Sequence, residues 1–367
     1  MAIINLAESE NDIRSLTTNR PIASIPIGSR YRVIDFMLSN LVNAGVNNVG
    51  IFTENNSRSL VDHVGTGKPW DLNRKIDGLF LFNHSLSNLM YTDSKLIKNN
   101  MEYIYRSKSD DVILCSSYMV CNMDLAKVAE AHEASGADIT VVYTRTDKAD
   151  KLFENCFTLD IDPSSGHLLG AGKNLGFRRS ENICMELFLL KKERLLEFIA
   201  KSASLRGQSS FYDLIFNEIG RLNINTYRFD GFVYCINSVS SYYYSNMQML
   251  RSDVSSALFR MSERPVFTKI KDEPPTLYTK GCSVSNSLIA DGCKIKGTVK
   301  NSLLGRYVDI EEGAVVEDSI ILQNVRVHKG ARLSHVIIDK NVDIEENNSL
   351  MGSALFPLVI EKRNLIG

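Results

Sequence analysis

Three acidic residues occupy the turn that follows the first apolar segment of the chain. Residues 2–4 predict an opening strand, and Glu8, Glu10 and Asp12 come soon after it. In nucleotide-binding α/β proteins, glycines in this turn let backbone N–H groups approach a phosphate. Three carboxylates facing a triphosphate repel it instead, on the order of several kcal/mol at partly buried distances. The turn is therefore predicted not to hold a nucleotide.

The composition of the chain limits the class of protein that it encodes. Its 367 residues are enough for two domains, and a formal charge of −1 gives no attraction for nucleic acid or an anionic membrane. The seven cysteines form neither a disulfide framework nor a metal-binding CxxC pattern. No leader segment is recognisable, and no apolar run approaches the about 18 residues of a membrane-spanning helix. We expect a cytoplasmic protein with no nucleic-acid or membrane partner.

As far as about residue 250, short apolar runs alternate with amphipathic stretches. Strands are predicted at residues 49–52, 111–114 and 139–143. A helix is predicted from Leu125 to Ser135, ending before Gly136. Strands that alternate with helices favour a mostly parallel sheet covered by helices. The turn signal "DPSSGH" at residues 162–167 predicts an inserted hairpin.

The last part of the chain has a different repeat. Apolar residues recur every six positions, with slips between runs, at Ile289, Ile295, Leu304, Ile310, Val316, Leu322, Val327, Leu333, Ile338 and Ile344. A period of six is typical of a parallel β-helix with three-sided coils, whereas an antiparallel sheet of short strands predicts a period of two. We predict an α/β domain at residues 1–263, a proline-rich linker at 264–280 and a β-helix at 281–367.

Two long segments together resemble one enzyme family. Residues 25–40 read "IPIGSRYRVIDFMLSN", close to "VPFGGKYRIIDFxLSN", and residues 287–331 match the same family's hexapeptide coils. The family is ADP-glucose pyrophosphorylase, or glucose-1-phosphate adenylyltransferase, of bacterial glycogen synthesis. The resemblance implies a nucleotidyltransferase-like (Rossmann-like), mostly parallel sheet domain and a left-handed β-helix. It also implies a reaction in which a sugar phosphate attacks the α-phosphorus of ATP, with Mg²⁺ and cationic side chains neutralising the phosphates.

The positions that perform this reaction in the family carry other residues here. The phosphate loop "GGxGTRL" aligns with residues 7–13, so that two glycines become Glu8 and Glu10 and the arginine becomes Asp12. Ile22 stands at the place of a phosphate-binding lysine. The two magnesium-binding aspartates align with Tyr118 and Cys235, although Mg²⁺ prefers oxygen ligands to a thiol. The resemblance thus implies a degenerate site with no catalytic residue, no metal and no cofactor.

Two groups of residues are candidates for regulation instead. Arg20, Arg30 and Arg32 lie in a segment that, in the family, contributes to a site for phosphorylated effectors, and arginine binds phosphate in a bidentate manner. An ordinary salt-bridged surface is the alternative. In "HVGTGKPWD" (residues 63–71), the resemblance implies an allosteric loop that contains His63, Trp70 and Asp71. A buried structural tryptophan is the alternative there.

The chain is thus most similar to the non-catalytic, regulatory GlgD-type subunit of this family. We predict that it associates with a catalytic homologue, as a heterotetramer, and that it raises the partner's activity or changes its response to a phosphorylated sugar. Two alternatives stay open: a weakly active adenylyltransferase that makes ADP-glucose from ATP and glucose 1-phosphate, and a stand-alone sugar-phosphate sensor. His328 and His335 have no acyltransferase context, and Tyr242 to Tyr244 are interpreted as helix packing.

Overall fold

The computed structural model describes residues 1–53, 57–83, 93–204, 210–362 and 365–366. The chain forms two compact units, each discontinuous in sequence. The first unit comprises Met1–Glu8, Phe36–Tyr234 and Ser262–Phe267, and the second comprises Ser9–Asp35, Cys235–Met261 and Thr268–Gly367. These units are defined by packing, so the predicted domain boundaries stay predictions. Among the described residues, none of the helices combines the length and the apolar character that crossing a membrane requires.

The first unit is built on one mixed sheet of nine strands. Its strands are Ala2–Leu6, Asn48–Thr53, Gly78–Asn83, Asp111–Cys115, Ile139–Thr146, Phe157–Ile161, Leu168–Lys173, Glu181–Lys191 and Ile224–Arg228. Ala2–Leu6 pairs in parallel with both Asn48–Thr53 and Asp111–Cys115, as the strand–helix alternation predicts. The antiparallel pair Phe157–Ile161 and Leu168–Lys173 confirms the inserted hairpin.

Helices begin and end where local signals place them. The helix Leu125–Ser135 has the predicted bounds, and it ends at Gly136 in the left-handed conformation (φ 60°) that a residue without Cβ adopts at little cost. The other helices are Arg14–Thr17, Val33–Asn43, Arg58–Val64, Asp93–Asn99, Met101–Arg106, Ala149–Leu152, Lys192–Ser204, Phe211–Phe216, Val239–Gln248 and Ser252–Phe259.

The second unit contains three parallel sheets of very short strands, consistent with the predicted left-handed β-helix. The first sheet consists of Leu277–Tyr278, Lys294–Ile295, Asp309–Ile310, Arg326–Val327, Asp343–Ile344 and Leu365–Ile366. The second consists of Ser283–Ser285, Thr298–Lys300, Val315–Glu317, Arg332–Ser334 and Ser349–Met351. The third consists of Leu288–Ile289, Leu303–Leu304, Ile320–Ile321, Val336–Ile338 and Leu358–Ile360.

The repeat places one apolar residue of each strand inside the coils, with one correction. Ile310 and Val316 belong to the buried core of the β-helix as predicted, but Ile321 takes the next inward position that was predicted for Leu322. The step from Val316 to Ile321 is five residues instead of six, and the same five-residue step leads from Val299 to Leu304 and from Leu333 to Ile338, so one side of each of these coils is shorter. Leu322 is still buried, though outside that core cluster.

The segment that carries the candidate arginines packs within the second unit. The Tyr242 hydroxyl donates to the carbonyl oxygen of Pro26 (2.7 Å), and the Ser29 hydroxyl donates to that of Leu288 (2.9 Å). Tyr243 is buried and its hydroxyl donates to the carbonyl oxygen of Asp318 (2.6 Å). These contacts hold residues 20–32 in a defined position, and they confirm the interpretation of Tyr242 and Tyr243 as packing residues.

Candidate functional site

Glu8, in the first unit, accepts hydrogen bonds from the segment that follows the strand Asp111–Cys115. Its Oε1 atom accepts from the backbone N–H of Ser117 (2.9 Å) and from the Ser117 hydroxyl (3.0 Å). A backbone N–H with a carboxylate at this distance has no capacity left for a phosphate oxygen. The glutamate at this position therefore supplies its own unit with an internal hydrogen-bond acceptor.

Tyr118, which takes the place of a metal-binding aspartate, is engaged with a second acid. Its hydroxyl donates to Oε1 of Glu186 at 2.7 Å, and Glu186 is buried in the strand Glu181–Lys191. The pairing of that strand is irregular between Cys184 and Phe188, and Glu186 has a left-handed backbone (φ 48°). Such a conformation is uncommon for a residue with a long side chain, and it marks a locally strained position.

We call Glu8 and Glu186 the acidic pair, because the charge of Glu186 acts on the carboxyl of Glu8. Burial, and to a lesser degree the charge of Glu186, raises the pKa of Glu8 from 4.5 to about 7, against the hydrogen bonds from Ser117, which lower it. Near neutral pH this carboxyl is therefore protonated for a substantial part of the time. Residue-by-residue comparison with the family missed Glu186; the available signal was one acid inside the apolar run "NICMELFLL".

The other altered family positions near the amino terminus belong to the second unit. Oε1 of Glu10 accepts from the backbone N–H of Ile22 at 3.2 Å, and the Ile22 side chain is buried. Asp12 is exposed at the start of the short helical turn Asn11–Ile13. Like Glu8, Glu10 thus accepts a hydrogen bond from a backbone N–H group of its own unit, and an apolar side chain fills the place of the family's lysine.

The residues at the family's metal positions do not fit Mg²⁺. Tyr118 presents a phenol that is bonded to Glu186, and the Cys235 thiol is buried. Within the described part of the chain, no three His, Cys, Asp or Glu side chains are placed so that they could hold a metal ion. A hard cation of this kind requires several oxygen ligands, which these two positions do not offer.

Arg20, in the second unit, forms a buried ion pair with the β-helix. Its Nη2 atom lies 2.7 Å from Oδ2 of Asp339, and the two side chains are 5% and 6% exposed. Its Nε atom also donates to the carbonyl oxygen of Leu16 at 2.8 Å. The pair joins residues that are 319 positions apart in sequence. Arg20 is therefore both a structural link and a source of positive charge.

Further cations surround this ion pair. The Nη1 atom of Arg32 donates to the carbonyl oxygen of Ser24 at 3.2 Å, which orients its guanidinium. Lys340 follows Asp339 directly, and the charges of Arg32, Arg20 and Lys362 all act on its ammonium group. We call Arg20, Arg32, Lys340 and Lys362 the cationic cluster. Three of these charges are positive and one, that of Asp339, is negative, so positive charge is in excess among the groups that act on Lys340.

The pKa of Lys340 depends on this excess of positive charge as well as on burial. Burial, followed by the charges of Arg32 and Arg20, lowers the pKa of Lys340 from 10.5 to about 7, and Asp339 opposes the shift. A doubly charged anion in the cluster would reverse the effect of the neighbouring cations and favour the protonated lysine. Lys340 and Lys362 were not predicted, because a lysine at a corner of a β-helix is an ordinary surface residue in the sequence.

Arg30 makes a different contact. It is exposed, and its guanidinium carbon lies 5.6 Å from the centroid of the Tyr31 ring. Tyr31 in turn stacks on Phe259, with 5.0 Å between ring centroids. Arg30 thus takes part in a cation–π contact, and its assignment to an effector site stays a prediction.

The candidate allosteric loop has a packed part and an exposed part. Trp70 and His63 are buried, and their rings meet edge to face with 5.9 Å between centroids. Asp71 is exposed in the left-handed conformation (φ 52°), and its carboxylate lies 2.6 Å from Nη2 of Arg74. Trp70 and His63 have the burial that structural residues show, and an allosteric role for the loop stays a prediction.

Comparison with family models agrees with this architecture. A nucleotidyl transferase model matches residues 12–152, and a model of the GlmU-like C-terminal hexapeptide region matches residues 276–353. With the mixed sheet and the parallel coils, these matches define a nucleotidyltransferase-type protein with a hexapeptide β-helix.

Comparison with individual proteins narrows the class. The glycogen biosynthesis protein GlgD of Bacillus subtilis (strain 168) is 32% identical over 99% of this chain and 95% of its own length. The protein of the same name from Geobacillus stearothermophilus is 35% identical over 86% of this chain and 82% of its own. Glucose-1-phosphate adenylyltransferase of Bacillus anthracis is 28% identical over 91% and 90%. The chain belongs to the GlgD family of glycogen biosynthesis proteins, which is related to glucose-1-phosphate adenylyltransferase.

Proposed function

We propose that this chain is a catalytically inactive, regulatory subunit that binds a catalytic adenylyltransferase homologue in the cytoplasm. The observation that carries the proposal is the hydrogen bond from the Ser117 N–H group to Glu8, at a position where the resemblance implies a glycine-rich phosphate loop. A carboxylate there repels a triphosphate and also occupies a backbone donor. A tyrosine and a cysteine stand at the two positions of the metal-binding aspartates. The ligands for Mg²⁺ are therefore replaced, as well as the phosphate-binding loop.

The cationic cluster supports the regulatory half of the proposal. Its excess positive charge suits a phosphorylated sugar, and the fork of Arg32 can bind a phosphate through two hydrogen bonds. Binding there would favour one arrangement of the second unit, and a partner whose activity depends on that arrangement would respond to the sugar phosphate. We infer a heterotetramer with the catalytic homologue, as the family resemblance implies.

The first experiment measures ADP-glucose formation by this chain alone, by the catalytic homologue from the same cell alone, and by the two mixed. We expect no product from this chain and a higher rate, or a lower KM, in the mixture. Turnover by this chain in a preparation free of the homologue would refute catalytic inactivity. A mixture that behaves as the sum of its parts would refute the regulatory role.

A matched pair of variants tests the effector site. Arg32→Ala removes a cation of the cluster, whereas Arg30→Ala removes a neighbouring exposed arginine that lies over Tyr31. We expect Arg32→Ala to weaken sugar-phosphate binding to the chain at least about tenfold, the scale of one charge-assisted contact, and Arg30→Ala to leave it nearly unchanged. Equal losses in the two variants would contradict the assignment. Binding that never alters the rate of the mixture would favour a stand-alone sensor.

A further inference from the structure

The outer faces of the first and third sheets of the β-helix differ in polarity and in burial. On the third sheet, the outward residues Leu303, Ile320 and Ile337 are apolar and buried. On the first sheet, the outward residues are mostly charged and at least partly exposed, while the inward residues of its four central strands are buried. We call the first sheet's outer surface the charged face. The charges on this face follow a more regular order than contact with water alone requires.

The charged face consists of two columns in register. The first column, read across the strands, is Leu277, Lys294, Asp309, Arg326, Asp343 and Leu365. The second column, two residues further along each strand, is Thr279, Lys296, Glu311, His328 and Glu345. The four central rows are therefore basic, acidic, basic and acidic in order, and an exposed leucine flanks them at each end (Leu277 56%, Leu365 68%).

Contacts within the chain leave most of the basic groups without a carboxylate partner. Among the described residues, no carboxylate oxygen lies within 4.0 Å of the side-chain nitrogens of Lys294, Lys296 or Arg326. The ion pairs on this face are those of His328, at 3.3 Å from Glu311 and 3.9 Å from Asp343. Alternation within the sheet keeps like charges from lying side by side, but it does not bring these three basic groups into ion pairs within the chain.

We propose that the charged face is the contact surface between two copies of this chain, related by a two-fold axis parallel to the strands. This axis reverses the order of rows and keeps the columns. Lys294 and Lys296 then face the partner's Asp343 and the partner's Glu345, and Asp309 and Glu311 face the partner's Arg326 and the partner's His328. Leu277 meets the partner's Leu365. Every row therefore meets a complementary row.

Other arrangements of two copies lose this match. A two-fold axis along the β-helix keeps the row order, so that basic rows face basic rows and acidic rows face acidic rows. Shifting the partner by one row restores the repulsion, and shifting it by two rows leaves half of the pairs. The surface is smaller than the about 800 Å² per partner of a standard interface, so the contact on its own is weak and sensitive to salt. It does not depend on the proposed regulatory function.

Charge reversal tests the proposal, since the first and fourth rows are not neighbours within one chain. In the variant Lys294→Glu/Lys296→Glu both of these rows are acidic, and in Asp343→Lys/Glu345→Lys both are basic. We expect sedimentation velocity of the full chain at low salt to show a wild-type dimer, and each variant alone to dissociate at least about tenfold more readily. An equimolar mixture of the two variants should form dimers again. Strain within each variant cannot produce that rescue, because it persists in the mixture.

A milder pair of variants keeps the test valid if charge reversal disturbs folding. Leu365→Lys changes the apolar end of the charged face, and Leu355→Lys changes a similarly exposed leucine elsewhere on the β-helix (73%). We expect only Leu365→Lys to weaken the dimer, with unchanged thermal transitions in both. A wild-type chain that stays monomeric at low salt, folded charge variants that do not rescue one another, or equal effects of the two leucine variants would each overturn the proposal.

Discussion

The acidic pair of the first unit and the cationic cluster of the second unit are both crowded with like charge, but they differ in how that charge is satisfied. Glu8 has hydrogen-bond donors of its own, the N–H and hydroxyl groups of Ser117, and Glu186 has the hydroxyl of Tyr118. In the cluster, the charges of Arg32, Arg20 and Lys362 act on Lys340, and Asp339 opposes them. The acidic pair thus accepts hydrogen bonds within its own unit, whereas like charges predominate around Lys340.

The ionisation of each region reports this difference. Burial, and to a lesser degree neighbouring like charges, raise the pKa of Glu8 and lower that of Lys340, each to about 7. For Glu8 the neutral form satisfies the site without any ligand. For Lys340, burial first and the charges of Arg32 and Arg20 second favour the neutral form, and a bound anion would oppose both by favouring the protonated lysine. The two regions thus contain groups of opposite charge whose pKa values shift in opposite directions.

The largest effect is expected from the ion pair that anchors the cluster. Arg20→Met leaves Asp339 buried without its arginine, and loss of one partner of a buried pair costs about 3–5 kcal/mol of unfolding free energy. Urea denaturation of the variant measures this loss. The double variant Arg20→Met/Asp339→Leu should recover a large part of it, because no unpaired charge remains. A loss below about 1 kcal/mol in the single variant would mean that Lys340 already neutralises Asp339.

Glu8→Gln should act with the opposite sign. Between pH 4.5 and about 7 the native state retains a proton that the unfolded chain has lost, so the stability of the wild type falls as the pH rises through this window. Glutamine keeps the acceptor for Ser117 and removes the charge. At pH 8 the variant should be more stable than the wild type by about 1–3 kcal/mol, with no gain at pH 4. Unfolding free energies at both pH values check this, and parallel curves would contradict it.

Anion binding to the cluster should weaken as the pH rises through the pKa of Lys340. Sulfate keeps two charges over this range, so any change comes from the protein. If binding requires the protonated lysine, affinity falls about tenfold between pH 6 and pH 8. Calorimetric titration measures the affinity, and Lys340→Met should abolish the pH dependence. A wild-type affinity that does not change with pH would place the anion away from Lys340.

The smallest effect is expected at the exposed ion pair of the candidate allosteric loop. Asp71→Asn removes the charge that faces Arg74 and keeps a residue that tolerates the left-handed conformation. Exposed pairs contribute little, so the unfolding free energy should change by less than about 0.5 kcal/mol. The contrast with Arg20→Met separates a solvated pair from a buried one. A large loss of unfolding free energy in Asp71→Asn would show that this ion pair stabilises the loop more than its exposure indicates.

The altered family positions could be predicted from the sequence because they lie within continuous motifs. Glu8, Glu10 and Asp12 stand at fixed distances from residues 25–40, and Tyr118 and Cys235 stand within recognisable segments. The contacts and backbone conformations of the acidic residues could not be predicted in the same way. Glu8 bonds to Ser117, 109 positions away, and Glu186 occupies an irregular, left-handed position in its strand that no local pattern specifies.

The sequence by itself determined the repeating architecture of this protein. Local periodicity sets which side of each short strand is apolar, so the parallel coils and the helix Leu125–Ser135 follow from nearby residues. Only the tertiary structure decided the cationic cluster and the charged face. Arg20 meets Asp339 across 319 positions, and the rows of the charged face exist only once successive coils are in register. Charge interactions depend on distance in space, and folding brings these side chains together without a signal in the local sequence.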